Sequence, residues 1–222
     1  GVNMTNFFND WVFAPGFSHF SIDSTQMTPN GSTFDITLFV QQKLRGATNF
    51  HNGTPLIVSF YDANRNKYMD KIVASGQYSN TTINIPFIPA AIIINENNKL
   101  NQARTDNQLI ITNTNTIPVP KMAMVANITV TNISDTALLQ IEHNWVAPDS
   151  IKNNTNNFRI SSSRYWSFRG VLPSTFIASA RLNYDGRSAT GFLDLDLVPT
   201  DGDSIVLLYR KNASEDWTEY PY

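Results

Sequence analysis

The chain has no cysteine among its 222 residues, which excludes disulfides and thiolate metal sites. It is also short of charge. Asp, Glu, Lys and Arg make up 15%, against roughly 25% in an average globular protein. Neither sign dominates: the net charge is −2, and with no basic cluster there is no electrostatic footprint for nucleic acid or an anionic membrane surface. Long apolar runs are missing too. Runs such as Ala90 to Ile94 suit a strand and fall far below the roughly 18 residues of a membrane helix. What fills the chain instead is Asn, Thr and Ser around a 41% hydrophobic and 12% aromatic complement. That is the profile of β-rich, loop-rich extracellular modules, in which short polar side chains satisfy turns. Eight Asn-x-Ser/Thr triplets, such as Asn52-Gly53-Thr54 and Asn127-Ile128-Thr129, arise from this composition and identify no glycosylation site.

The length suits one large or two ordinary domains. Residues 3–14 predict a short helix with Phe7, Phe8, Trp11 and Val12 on one face, ended by Pro15-Gly16. The period then changes to two. Phe34, Ile36, Leu38 and Val40 alternate with Asp35 and Thr37. Further strands are predicted at Pro55–Tyr61, Lys71–Ala74, Thr82–Pro86 and Gln108–Thr112, and at Ala90–Asn95, which is apolar on both faces and therefore central. TNTNTIPVPK, Thr112 to Lys121, reads as a semi-extended linker because of Pro118 and Pro120. A second strand series comes next: Met122–Thr131, Ala137–Trp145, Arg164–Arg169, Phe176–Tyr184, Phe192–Val198 and Ser204–Tyr209, with a hairpin at Thr200-Asp-Gly-Asp203. The predicted fold is all-β: two tandem β-sandwiches with a short N-terminal helical stub. The boundaries are 1–16 for the stub, 17–113 for the first sandwich, 114–121 for the linker and 122–222 for an immunoglobulin- or fibronectin-like sandwich. A segment that reads as the exit from a helix, standing at the front, predicts that the chain continues an upstream unit.

Asp62, Asn64, Asn66 and Asp70 have the spacing of a calcium loop, but Lys67 stands where such a loop needs Gly and Val73 where it needs Glu. A polar hairpin is the better reading. Asp194 and Asp196 would share a strand face as paired carboxylates, but a solvated face ending in the Asp201-Gly202 turn is the better reading. Tyr165, Trp166, Trp217 and Tyr220 have the chemistry of a sugar-stacking platform, but core or inter-domain packing is the better reading. His19 is expected to pack at a domain junction and His143 to be structural. Ser161 to Ser163 have no histidine in a credible triad.

Phe7-Phe8-x-x-Trp11, Gly16-Phe17-Ser18, Thr54-Pro55-Leu56-Ile57-Val58 and Pro89-Ala-Ala-Ile-Ile-Ile-Asn95-Glu-Asn together resemble the zinc aminopeptidases of the aminopeptidase N type, over residues 5 to 112. In that family a thermolysin-like catalytic domain ends in a helix with a Trp, followed by a Gly-x-Pro turn and a small β-sandwich. Ser18 stands here where the family has Pro, and a second β-module replaces a helical C-terminal domain. The resemblance implies a non-catalytic C-terminal region that buttresses a catalytic domain. Zinc would be bound upstream by His-Glu-x-x-His, a motif that His19, His51 and His143 do not form. No catalytic, cofactor or metal residue carries over. The implied partner is the upstream catalytic domain, with a glycan or protein ligand on the second sandwich, in a secreted or periplasmic protein. The competing reading is a stand-alone carbohydrate-binding or adhesin-type module.

Overall fold

The computed structural model describes residues 4–119, 125–187, 193–197 and 205–220. The described chain is all-β apart from one helical segment, α1 (Thr5–Phe8), which runs into a π-helical turn (Asn9–Phe13). Ala14 is already extended, and Gly16 then takes φ +85°. A Cβ on Gly16 would lie 2.2 Å from the Ala47 nitrogen. The helix therefore stops where Pro removes a donor and where only Gly can make the turn.

Six strands come after the turn: β1 (Phe17–Asn30), β2 (Thr33–Arg45), β3 (Thr54–Tyr61), β4 (Lys67–Ala74), β5 (Tyr78–Ile85) and β6 (Ala91–Ile94). They form two antiparallel sheets, ordered β1-β2-β5 and β4-β3-β6. Phe20, Ile36, Leu38, Val40, Ile83 and Ile85 face Leu56, Val58, Phe60, Ile72 and Ile94 across the first core. Burying each such side chain contributes about 1.5–3 kcal/mol. The period-two pattern read at Phe34 to Val40 is the inward face of β2.

The second sandwich comprises β7 (Arg104–Ile111), β8 (Asn115–Pro118), β9 (Val125–Asn132), β10 (Ala137–Asn144), β11 (Tyr165–Val171) and β12 (Ile177–Leu182). Its sheets are β7-β10-β11 and β8-β9-β12. Ile111, Ile128, Val130, Leu139 and Ile141 form its core, with Trp166 packed against them. A two-stranded ribbon, β13 (Leu208–Tyr209) with β14 (Thr218–Glu219), lies at the end.

Several local expectations change. Gln108–Thr112, expected as the sixth strand of the first sandwich, belongs to β7 and pairs along its whole length with β10. The segment 114–121, expected as a linker, carries β8, which pairs with β9; Pro118 sits at the strand end, where its missing N–H breaks no interior ladder. Among the described strands β6 pairs in a ladder with β3 only, at the edge of its sheet. It is apolar on both faces because it serves two cores: Ile94 faces the first, while Ala91 and Ile93 join Tyr61, Leu138 and Val171 in a third cluster. Within Phe192–Val198 the described residues include a turn closed by Leu197 N–H donating to the Asp194 carbonyl at 2.9 Å. The predicted hairpin at Thr200–Asp203 lies outside the described residues.

The third cluster stacks the outer face of β4-β3-β6 on the outer face of β7-β10-β11. The contact between the two sandwiches is thus a buried layer of its own.

Candidate functional site

The opening helix is pinned by Trp11 and Asp10. Trp11 packs on the first core and sets its ring edge-on to His51 at 4.5 Å. The neighbouring Asp10 carboxylate accepts the Asn52 N–H at 3.0 Å. Helical spacing alone places Phe7, Phe8, Trp11 and Val12 on one face. The π turn, closed by Ala14 N–H donating to the Asn9 carbonyl at 3.1 Å, inserts an extra residue and rotates Trp11 inward. Phe7, Phe8 and Phe13 remain outside, 47%, 45% and 73% exposed. Their rings cluster: Phe7 meets Phe8 edge-on at 5.6 Å, and Phe8 stacks with Phe13 at 6.2 Å. The three rings form a contiguous exposed aromatic patch beside the half-buried Trp11.

Beneath the anchor lies a polar knot. Ser18 Oγ is 2.8 Å from His51 Nδ1. Gln42 accepts the His51 N–H at 2.7 Å and donates to the carbonyls of His51 and Gly76 at 3.1 and 3.0 Å. Burial, partly opposed by Asp10, lowers the His51 pKa. Contact between a Ser hydroxyl and a His ring has the reach of an activated nucleophile, but Ser18 is 0% exposed. Its hydroxyl has no access to a substrate and serves the turn into β1.

The junction between the sandwiches is built on a grid. On the β7-β10-β11 face, pairing sets Arg104, Asn144 and Tyr165 in one row, then Asp106, Glu142 and Ser167, then Gln108, Gln140 and Arg169, then Ile110, Leu138 and Val171. Arg104 donates to Asp106 Oδ2 and to the Ile94 carbonyl of the first sandwich, at 2.8 and 2.7 Å, and lies 3.4 Å from Glu142. Arg169 approaches Glu142 from the other side at 3.3 Å. The Arg104, Asp106 and Glu142 side chains are only 3–4% exposed. Burial beside Glu142, partly opposed by Arg104, pushes the Asp106 pKa up to about 6. Burial opposes the Glu142 charge as well, but Arg169 and Arg104 hold that carboxyl below its usual range.

His19 reaches across from β1 to Asn144 at 2.7 Å, which puts the ring proton on Nε2. Burial and then Arg104 lower its pKa to about 4. His143, on the opposite face of β10, stacks on Trp166 at 5.6 Å and accepts the Trp145 indole N–H at 3.0 Å. Its pKa is also lowered to about 4, by burial and then by Arg164 and Arg45. At the rim, Lys43 of β2 donates to Asp149 at 2.8 Å, Arg45 to the Trp145 carbonyl at 2.8 Å and Arg65 to the Thr136 carbonyl at 2.8 Å. The two sandwiches are therefore joined across their width by charged hydrogen bonds around a mixed apolar and ionic centre.

The other sequence candidates do not assemble. Asp62 spends its oxygens on its own hairpin, accepting the N–H groups of Asn64 and Asn66 and the Asn66 amide, each at 2.8 Å. Asp70 lies in β4 opposite Val58, about 10 Å further along at 3.3–3.4 Å per residue. Among the described residues no three His, Asp or Glu side chains converge as metal ligands. Asp194 and Asp196 part company: Asp194 is buried and accepts two hydrogen bonds from Arg164, while Asp196 accepts from Ser162 at the surface. The four aromatic residues separate as well. Tyr165 faces the junction, Trp166 the second core, Tyr220 packs on Tyr209, and Trp217 stands apart beside Arg210. Sequence patterning does not reveal Arg104, Asp106, Glu142 and Arg169, because alternation with Leu139 and Ile141 makes Gln140 and Glu142 resemble a solvent face.

No helix among the described residues is long and apolar enough to cross a membrane. The chain matches no family model, no curated protein and no solved structure at a significant level.

Proposed function

We propose that the chain is a non-catalytic accessory region of a secreted or periplasmic metallopeptidase-like protein, resembling the region C-terminal to the catalytic domain in aminopeptidases of the N type. The aromatic face of the opening helix docks on that catalytic domain, the first sandwich buttresses it, and the second is carried as a spacer or binding module. One observation carries this reading: Trp11 locks the helix to the first core while Phe7, Phe8 and Phe13 stay exposed. A half-exposed Phe still has about 1 kcal/mol to gain from full burial. The sequence motifs supply the identity of the partner, since fold alone does not give function. The charged junction supports the buttressing role, because it ties the second sandwich to the first. Zinc does not fit the histidines of this chain. His19, His51 and His143 each hold a hydrogen bond through one ring nitrogen, and among the described residues none stands in a group of three potential ligands. Under this reading zinc belongs to the upstream domain.

Two results test the proposal. The purified chain should hydrolyse no aminoacyl p-nitroanilide with or without added zinc; zinc-dependent release of nitroaniline contradicts it. The coding sequence upstream of Gly1 should contain His-Glu-x-x-His followed by a Glu ligand, whereas further sandwiches there support the adhesin-type reading.

A further inference from the structure

We propose that the second sandwich carries a cleft for a neutral saccharide, built around Trp217. The cleft is open to solvent on one side, has a volume of about 270 Å³ between the 151–158 loop and β14, and its walls include Trp217, Phe158, Asn153, Thr155, Asn156 and Glu219. Pockets for drug-sized ligands begin near roughly 300 Å³, so this one suits a single sugar ring.

The stacking surface is fixed before any ligand arrives. The Trp217 indole N–H donates to the Asp149 carbonyl at 2.9 Å. The Arg210 guanidinium covers the ring at 4.5 Å, and Arg210 does not line the cleft. The loop opposite is fixed too. Asn154 exchanges two 2.8 Å hydrogen bonds with the Phe158 backbone. Asp216 accepts the N–H groups of Lys152, Asn153 and Trp217 at 2.8, 2.7 and 2.8 Å, stapling the loop beside the indole. Preorganisation of this kind removes ordering cost from binding.

The lining selects the ligand class. Trp offers a flat apolar face to the C–H face of a pyranose. The exposed Asn153, Thr155 and Asn156 supply amide and hydroxyl groups that both donate and accept, matching sugar hydroxyls. Lys152 turns its amine to the Ala213 and Ser214 carbonyls at 3.1 and 2.6 Å and is not part of the lining, whereas Glu219 is. The cleft therefore disfavours phosphate and carboxylate ligands. This surface is separate from the aromatic helix, so the two proposals stand or fall independently.

The test is saturation-transfer NMR on the intact chain with the methyl glycosides of glucose, galactose, mannose and N-acetylglucosamine, with methyl phosphate and triglycine alongside. At least one glycoside should show transfer with a Kd of about 1 mM. Trp217→Ala should weaken it about tenfold or more, while Trp217→Phe retains part of the affinity. Asn156→Ala changes only an exposed loop amide; it should weaken binding without shifting Tm, and it decides the question if Trp217→Ala does not fold. Absence of transfer from every glycoside, transfer that survives both Trp217→Ala and Asn156→Ala, or a preference for triglycine or methyl phosphate would each overturn the proposal.

Discussion

Replacing Arg104 with Met tests whether the junction is as dry as its geometry indicates. Met keeps most of the length and volume of the Arg stem, so the change removes charge and hydrogen bonds rather than bulk. In the native chain Arg104 is the cation between Asp106 and Glu142 and donates to Ile94 across the junction. Asp106 and Glu142 occupy paired positions on β7 and β10, where side chains are near neighbours. Without Arg104 the two carboxylates face each other with Arg169 as their remaining close cation. Removing one member of a buried ion pair costs about 3–5 kcal/mol. For a chain of this size that lowers Tm by about 6–20 °C. The assay is chemical denaturation at pH 7.5, with thermal unfolding as a second probe. A further variant separates burial from charge: Arg104→Met with Asp106→Leu, Glu142→Leu and Arg169→Met removes the whole ion cluster, leaves no orphaned charge and should recover most of the lost stability. A loss under about 1 kcal/mol for Arg104→Met, the level of an exposed pair, would refute a desolvated junction.

Three other perturbations have defined outcomes. Trp11→Ala should cost about 1–3 kcal/mol for a half-buried anchor, whereas Phe7→Ser, Phe8→Ser and Phe13→Ser together should leave urea denaturation nearly unchanged and reduce dye binding to exposed apolar surface. Acidification should destabilise the chain. His19 and His143 have folded pKa values lowered to about 4, so their contribution is complete above the unfolded value near 6.5 and is lost as pH falls through the window down to 4. Asp106, raised to about 6, opposes this because its folded form binds a proton first. The net loss from pH 7 to 5 is on the order of 3 kcal/mol, and Asp106→Asn should steepen it in denaturation curves at pH 7, 6 and 5. Gly16→Ala forces a Cβ to within 2.2 Å of the Ala47 nitrogen at positive φ; it should cost at least about 1–3 kcal/mol, read as a drop in the urea midpoint.

Periodicity makes the strands of the first sandwich legible because each buries one face. Ile36, Leu38 and Val40 alternate with exposed or half-exposed neighbours, and that signal needs no partner to be seen. The same logic fails at β6 and β10, which are buried on both faces by a third layer. Ala91 and Ile93 read as a central strand when they are the underside of an edge of the sheet, and Glu142 reads as solvated when it lies among arginines. Buried charge cannot be told from exposed charge by spacing, since the deciding fact is what another sheet places above it. In the segment expected as a linker, two prolines mask the short strand beside them; Ile117 in fact packs on the second core. In the opening helix the aromatic spacing is visible but the π turn is not, so the sequence indicates a sticky face without showing which ring turns inward.

The central claim is that the opening aromatic face is an internal docking surface of a larger protein. Hydroxyl-radical footprinting of the purified chain and of the full-length product of its gene measures this directly. Phe7, Phe8 and Phe13 should react readily in the chain and be strongly protected in the full-length product, while Trp217 reacts alike in both. Equal reactivity of the three phenylalanines in the two samples would contradict the account.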